Sequence, residues 1–193
     1  SAASDVYKRG GVRRMSNSTL ATYTLISPNK NSPRNHSIDR ITIHCFVGQV
    51  TAKRGCEVFQ PTSKQASCNY VVGYDGSIGL CVSESDRSWC SSSSANDHRA
   101  ITLEVASESN EPYAVTEKAF AAMLDLVTDI CRRNGKTKLL WFRDKDKTLA
   151  YTPKANEMVM TVHRWFANKS CPGEYLYSRH GQIAEEVNKR LSG

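Results

Sequence analysis

His163 and Cys171 stand eight positions apart in the segment His-Arg-Trp-Phe-Ala-Asn-Lys-Ser-Cys, which Pro172-Gly173 closes. Imidazole nitrogen and thiolate sulfur both suit zinc, and a loop returning to a strand's end can bring the second group to the first. A further histidine, His44, ends the segment Arg40-Ile-Thr-Ile-His44, and Glu104 lies near the end of Arg99-Ala-Ile-Thr-Leu-Glu-Val-Ala106. His44, His163 and Cys171 together would make a three-ligand zinc site with a fourth position open, as a catalytic zinc requires. Taken singly, each has a plainer reading. A histidine at a strand end is more often a hydrogen-bonded structural residue, and a glutamate on a sheet face is more often merely solvated.

The elements that must position these groups are strands. Side chains alternate faces along a strand, so Ile41 and Ile43 share one face and Thr42 and His44 the other. Likewise Ile101, Leu103 and Val105 oppose Thr102 and Glu104, and Met158, Met160 and Val162 oppose Thr161 and His163. Three strands thus each offer an apolar face to a core and a polar face ending in His, Glu or His. The groups converge only if the strands are neighbours in one sheet, and strand order is not readable from these segments.

Asn69-Tyr-Val-Val-Gly-Tyr, Asp75-Gly76 and Ser77-Ile-Gly-Leu-Cys81 read as a hairpin, with Asp-Gly supplying the positive φ angles of a tight turn. Residues 115–134 carry Val115, Ala119, Phe120, Met123, Leu124, Val127, Ile130 and Cys131 on one helical stripe, with Thr116 as N-cap and Gly135 beyond the C-terminus. A helical tail is expected from about Glu174 to Leu191, with Gly181 a point of interruption. Residues 1–37, rich in Ser and Asn, read as a polar arm with at most a short strand at Tyr23-Thr-Leu-Ile26, and residues 38–193 as the catalytic domain. Strands with long helices packed on them give an α/β domain built on a mixed sheet.

A chain of 193 residues fits one domain able to bury roughly 70% of its extended surface. It has 39% hydrophobic residues and no apolar run near the roughly 18 residues of a membrane span. No secretory signal is written in Ser1-Ala-Ala-Ser-Asp5, and the first residue is not Met, so a leader or flanking domain can lie outside the sequence. The net charge of +7 admits acidic partners, nucleic acid or an anionic cell wall. Its basic residues are scattered apart from Lys8-Arg9 with Arg13-Arg14 and the stretch Arg143 to Lys147, without the aromatic interleaving of a single-strand groove, which argues against nucleic acid. Seven cysteines (45, 56, 68, 81, 90, 131 and 171) include no Cys-x-x-Cys, so no zinc finger or thioredoxin-like motif is present. Cys45, Cys81 and Cys131 read as small buried hydrophobes, while pairing among Cys56, Cys68, Cys81 and Cys90 stays open. No feature dictates an oligomeric state, and a monomer is the favoured reading.

The order and approximate spacing of Ile41-Thr-Ile-His44, Asn69 to Gly76, Asn96-Asp-His-Arg-Ala-Ile-Thr-Leu-Glu104 and His163 to Gly173 resemble those of the zinc-dependent N-acetylmuramoyl-L-alanine amidases. That family includes phage lysozyme-type amidases and the peptidoglycan-recognition proteins. The likeness spans about Ile38 to Tyr177 and is closest to phage or prophage amidases of Gram-positive bacteria. It implies a central mixed sheet flanked by helices with zinc in a groove on one side, and an enzyme acting at the bacterial cell wall, secreted or released by phage lysis. Its implied substrate is the peptidoglycan amide between N-acetylmuramic acid and L-alanine. It places the metal ligands on His44, His163 and Cys171, and on Lys169 a cation beside the scissile carbonyl. Phage lysozyme-type members carry a catalytic Tyr where this chain has Cys68, whereas another branch uses a Glu at the position of Glu104. The base is therefore assigned to Glu104, with Tyr70 as the alternative. In that mechanism zinc acidifies a water, Glu104 takes its proton and hands it to the leaving amine, and Lys169 steadies the oxyanion. His98, in the third motif, and Trp89 are candidate groove residues, and the stretch Trp89-Cys90-Ser-Ser-Ser-Ser94 sits where relatives carry a loop beside the groove. A surface histidine and a flexible polar linker are their plainer readings. Some members of the family recognise peptidoglycan without cutting it, and those typically lack the Cys ligand.

Overall fold

Aliphatic residues at alternate positions build the strands, and the order in which those strands pair decides which polar side chains meet. The computed structural model describes residues 16–193, preceded by the backbone of an antiparallel pair, β1 (Tyr7–Lys8) and β2 (Val12–Arg13). The basic cluster Lys8-Arg9 and Arg13-Arg14 therefore lies outside the residues whose side chains are described. In chain order there follow β3 (Tyr23–Thr24), β4 (Lys30–Asn31), β5 (Arg40–Cys45), α1 (Ala52–Val58), β6 (Tyr70–Val72) and β7 (Ile78–Leu80). Next come β8 (Arg87–Ser88), α2 (Ser94–Arg99), β9 (Ala100–Val105), α3 (Glu117–Arg133) and β10 (Lys138–Leu140). The chain ends with α4 (Lys145–Ala150), β11 (Glu157–Thr161), α5 (Gly173–Ser178) and α6 (His180–Leu191).

Seven strands form one mixed sheet in the order β10-β11-β5-β9-β6-β7-β3, parallel throughout except for the β6–β7 hairpin. β4 and β8 pair separately and antiparallel. The three strands carrying the candidate chemistry are thus adjacent at the centre of the sheet. One face carries Ile41, Ile43, Ile101, Leu103, Met158 and Met160, all fully buried against α3 and α6. Each such side chain removed from water contributes about 1.5–3 kcal/mol. A smaller cluster of Cys56, Phe59, Cys68, Val71 and Cys81 lies between α1 and the β6–β7 end of the other face.

The remainder of that second face is polar and internally satisfied. Thr42 Oγ1 lies 2.7 Å from Thr161 Oγ1, and Asn96 closes the ring by donating to Thr42 at 3.0 Å and accepting from Thr161 at 3.0 Å. Three buried hydroxyl and amide groups thereby meet their hydrogen-bonding needs without water, as a buried polar layer must. α3 begins as expected at Thr116, whose side chain caps Ala119 N, and Gly135 beyond its end adopts φ +70°.

Several elements differ from expectation. The hairpin connection runs through Gly73 to Ser77, closed by Gly73 N to Ser77 O at 2.8 Å, and only Gly76 takes positive φ, at +83°. The helical tail breaks at Arg179, between α5 and α6, rather than at Gly181. β11 ends at Thr161, so His163 opens a 3₁₀ turn instead of closing the strand. Residues 16–37, read as a loose arm, pack on the domain. β3 extends the sheet alongside β7, and the buried Asn29 amide donates to the carbonyls of Phe59, Pro61 and Ala66. Arg34 similarly donates to the backbone carbonyls of Glu84, Asp86, Asp97, His98 and Ala100. The polarity of this segment thus serves to satisfy buried backbone groups, which a composition reading takes for solvation.

Candidate metal and catalytic centre

The parallel register sets His44 of β5 directly beside Glu104 of β9. On the other side of β5, β11 stops level with Thr42, and Val162 leads the chain into the 3₁₀ turn that carries His163. The His44 and His163 rings meet edge to face with centroids 5.0 Å apart. The loop after the turn returns Cys171, held by Arg164 N to Cys171 O at 3.1 Å and by the Arg164 guanidinium to Ser170 O at 2.8 Å. This places Cys171 Sγ 3.3 Å from His44 Nδ1. Gly173 adopts φ +80°, and a Cβ there would stand 2.8 Å from the Tyr113 side chain, so the Cys-Pro-Gly corner requires glycine.

One nitrogen of each histidine and Cys171 Sγ lie within 4.8 Å of one another, a separation a single ion can bridge. A second group with the same property contains His44, Cys90 and Glu104. The electrostatics suit a cation. Burial, with His163 alongside, holds His44 well below the usual histidine range, and burial with the Lys169 charge also lowers His163. Both rings therefore keep a lone pair available near neutral pH. The Cys171 thiol is pushed up by its hydrogen bond with Cys45 and by burial, a preference that metal coordination reverses by deprotonating the sulfur. Burial, then the neighbouring Cys45, raises the Glu104 carboxyl well above the usual carboxylate range. Its Oε2 is buried without a hydrogen-bond partner among the described residues. Two neutral imidazoles, a thiol and an unpartnered carboxylate oxygen form a donor set that fits zinc with a proton-transfer group at its side.

The site opens into a cleft of ≈ 430 Å³ whose lining includes Glu104, His163 and Cys171, with Tyr113, Asn168 and Lys169 on its walls. Five of the residues singled out in the sequence thus come together: His44, His163, Cys171, Glu104 and Lys169. The other three do not. Tyr70 pairs with Leu103, so alternation sends its side chain to the helix-covered face, where its hydroxyl donates to Glu84 and accepts from Ser18 N. Placing Tyr70 in the groove is therefore corrected: it is fully buried on the opposite side of the sheet. His98 lies in the last turn of α2 and accepts from Asn35 N at 3.0 Å, near the start of β9 rather than at the end that carries Glu104. At roughly 3.3 Å per residue, about 13 Å of strand separates Ala100 from Glu104. Trp89 is turned to the β4–β8 pair, its indole donating to Asn31 Oδ1 at 2.7 Å.

Other neighbours of the site were not singled out. Cys45, taken only as a small core residue, also lines the cleft, and Tyr113, Asn168 and Ser170 complete its wall. Cys90, Ser91 and Ser92 touch Glu104, His44 and His163 respectively. The family resemblance offers Trp89 to Ser94 as a loop beside the groove, against the plainer reading of a flexible polar linker, and the contacts of Cys90, Ser91 and Ser92 put that loop against the site.

No curated protein matches the chain in sequence. Among solved structures, PlyL aligns with TM-score 0.61 at 16% identity, covering 86% of this chain and 95% of that one. The endolysin N-acetylmuramoyl-L-alanine amidase LysCS from Clostridium intestinale URNW aligns at 0.56 and 14%, covering 89% and 97%. The Drosophila peptidoglycan recognition protein SA aligns at 0.54 and 12%, covering 79% and 81%. At these identities the likeness is one of fold. The family model for N-acetylmuramoyl-L-alanine amidase matches residues 34–174, which includes both candidate histidines, Glu104, Lys169 and Cys171, and the chain belongs to that family.

Proposed function

We propose that this chain is a zinc-dependent amidase that cuts peptidoglycan between N-acetylmuramic acid and L-alanine. The observation that carries the reading is the meeting of two imidazoles, a thiol and a buried, half-unpartnered glutamate on the floor of an open cleft. His44, His163 and Cys171 would hold the metal, which when bound would supply Lewis acidity to a carbonyl and to water. Glu104 orients the attacking water, accepts its proton through the free Oε2, and delivers it to the departing L-alanine amine. Burial raises its affinity for protons, the direction required of a group that takes up a proton and then returns it. Lys169, exposed on the cleft wall, brings positive charge to the carbonyl oxygen as the tetrahedral centre forms. Asn168 and Tyr113 line the cleft in which the muramyl peptide would lie.

The test is end-group analysis of purified peptidoglycan after digestion, with and without a chelator, for the unaltered chain and Cys171→Ser. New N-terminal L-alanine without new reducing sugar, abolished by chelator and by the substitution, is the expected result. A different new amine would make the chain a zinc peptidase of the stem. Tight wall binding with no product would make it a recognition module, the role that the name of its Drosophila fold neighbour describes.

A further inference from the structure

Three consecutive residues between β8 and α2 each touch a different member of the site. Cys90 Sγ lies 3.7 Å from Glu104 Oε1, Ser91 Oγ 3.2 Å from His44 Nε2, and Ser92 Oγ 2.8 Å from His163 Nε2. The loop that carries them is itself fixed from beneath. Asp97, 1% exposed, accepts from Cys90 N at 3.0 Å and from Ser91 N at 3.1 Å, and Ser93 caps α2 through Asn96 N at 3.2 Å. Ser92 holds φ +60°, a left-handed conformation that a non-glycine residue adopts only when its surroundings impose it. That conformation belongs to the residue whose hydroxyl reaches His163. The contacts are specific in atom as well as residue: both serines meet Nε2, and in His44 the remaining nitrogen, Nδ1, already faces Cys171 Sγ.

Resting on the metal reading above, we infer that Cys90, Ser91 and Ser92 are the positioning residues of this centre. Ser91 and Ser92 accept from the Nε2–H of His44 and His163, which selects the tautomer that leaves Nδ1 of each ring with its lone pair for the metal. A hydroxyl in this role stands where many zinc sites use a carboxylate or backbone carbonyl. Cys90 donates its thiol proton to Glu104 Oε1, which holds the carboxyl so that Oε2 faces the cleft. Cys90 is thus a neighbour of the base and not a metal ligand, although its sulfur lies within reach of one. Asp97 sets the height of the whole loop by gripping two successive amides. Removal of an orienting partner of a ligating histidine typically weakens metal binding by roughly 10- to 100-fold, with the fold intact.

The experiment is a zinc competition titration against a chromophoric chelator, with thermal melting of each metal-free protein alongside. The unaltered chain, Cys171→Ser, Ser91→Ala with Ser92→Ala, and Ser92→Asn are compared. The expected result is a roughly 10- to 100-fold loss of zinc affinity in the double alanine variant, whose metal-free form still melts cooperatively, only a few degrees lower because the buried His44 loses its Ser91 partner. Ser92→Asn, which tolerates the left-handed backbone and keeps an oxygen able to accept from Nε2–H, should bind as the unaltered chain does. A double alanine variant that binds zinc as tightly as the unaltered chain, while Cys171→Ser does not, overturns the positioning role and leaves the metal site standing. No zinc binding by the unaltered chain, or equal binding by Cys171→Ser, overturns the metal reading itself and the inference with it. Cobalt substitution separates the roles of the two sulfurs: the thiolate charge-transfer band should vanish in Cys171→Ser and persist in full in Cys90→Ser. A reduced band in Cys90→Ser would make Cys90 a ligand and overturn its assignment to Glu104.

Discussion

His180 gives the stability of this protein a defined acid limb. It opens α6, is fully buried, and donates from Nδ1 to Leu176 O at 2.6 Å, while its Nε2 has no partner among the described residues. Its ring packs 4.8 Å from Trp141, which stacks at 5.4 Å on Trp165, in the same 3₁₀ turn as His163. A second proton on this ring would be buried without an acceptor. Burial therefore lowers the pKa to about 4 from the ordinary 6.5, with the Leu176 carbonyl opposing the shift and Arg164 adding to it. Above pH 6.5 the ring is neutral in both states and titration contributes nothing. As pH falls the unfolded chain takes up a proton that the folded chain refuses, so stability is lost progressively down to about pH 4. The full difference corresponds to about 3 kcal/mol, of which about 2 kcal/mol is already lost at pH 5. For a domain of this size that is roughly 4–8 °C of melting temperature. The assay is urea unfolding of the metal-free protein at pH 7 and pH 5, for the unaltered chain and His180→Asn, whose amide can still donate to Leu176. His44 and His163 are lowered as well and act in the same direction, so the difference between the two proteins isolates His180. The unaltered chain should lose about 2 kcal/mol more than the variant between these pH values. Equal losses in both would refute the reasoning.

Glu104→Gln should keep zinc and lose roughly 10²- to 10⁴-fold in turnover, measured by release of N-terminal L-alanine. An active, metal-loaded variant would move the base to another residue. Lys169→Met should lower kcat by roughly 10²- to 10³-fold with zinc affinity retained, and an unchanged kcat would confine Lys169 to the cleft wall. Gly173→Ala forces a Cβ to within 2.8 Å of Tyr113 in a left-handed backbone, so melting temperature and zinc affinity should fall together as the Cys171 corner shifts. If both were unchanged, the corner would not position the thiol. Glu84→Ala leaves the Arg133 guanidinium without its fully buried partner, and chemical denaturation should show a loss of about 3–5 kcal/mol. A loss under about 1 kcal/mol would mean that the pair is screened as a surface bridge is.

Much of the centre was legible in the chain. Alternation is a local property of a strand, so Thr42 with His44 and Thr102 with Glu104 could be set on one face before any pairing was known, and the stripe of α3 could be assigned to the core. His163 was legible through Cys171-Pro-Gly, because a thiol returned by a short loop leaves a fixed spacing. What alternation cannot supply is which strands are neighbours, or which face of one continues into which face of the next. The order β11-β5-β9 is set by long parallel crossovers, whose connections run through helices on the sheet's faces and depend on how the whole chain buries its apolar surface. The same dependence misled the reading of Tyr70, whose place opposite Leu103 follows from the β6–β9 register and not from its own neighbours in sequence. The resemblance could set the loop Trp89 to Ser94 beside the groove, but not which group each side chain meets, because that depends on Asp97 pinning the backbone and bringing Cys90, Ser91 and Ser92 each to a different partner. The sequence by itself determined the types of group available to the chemistry and the faces they occupy. The tertiary structure decided which of them meet, because a meeting between residues over a hundred positions apart is settled by the burial of the whole chain.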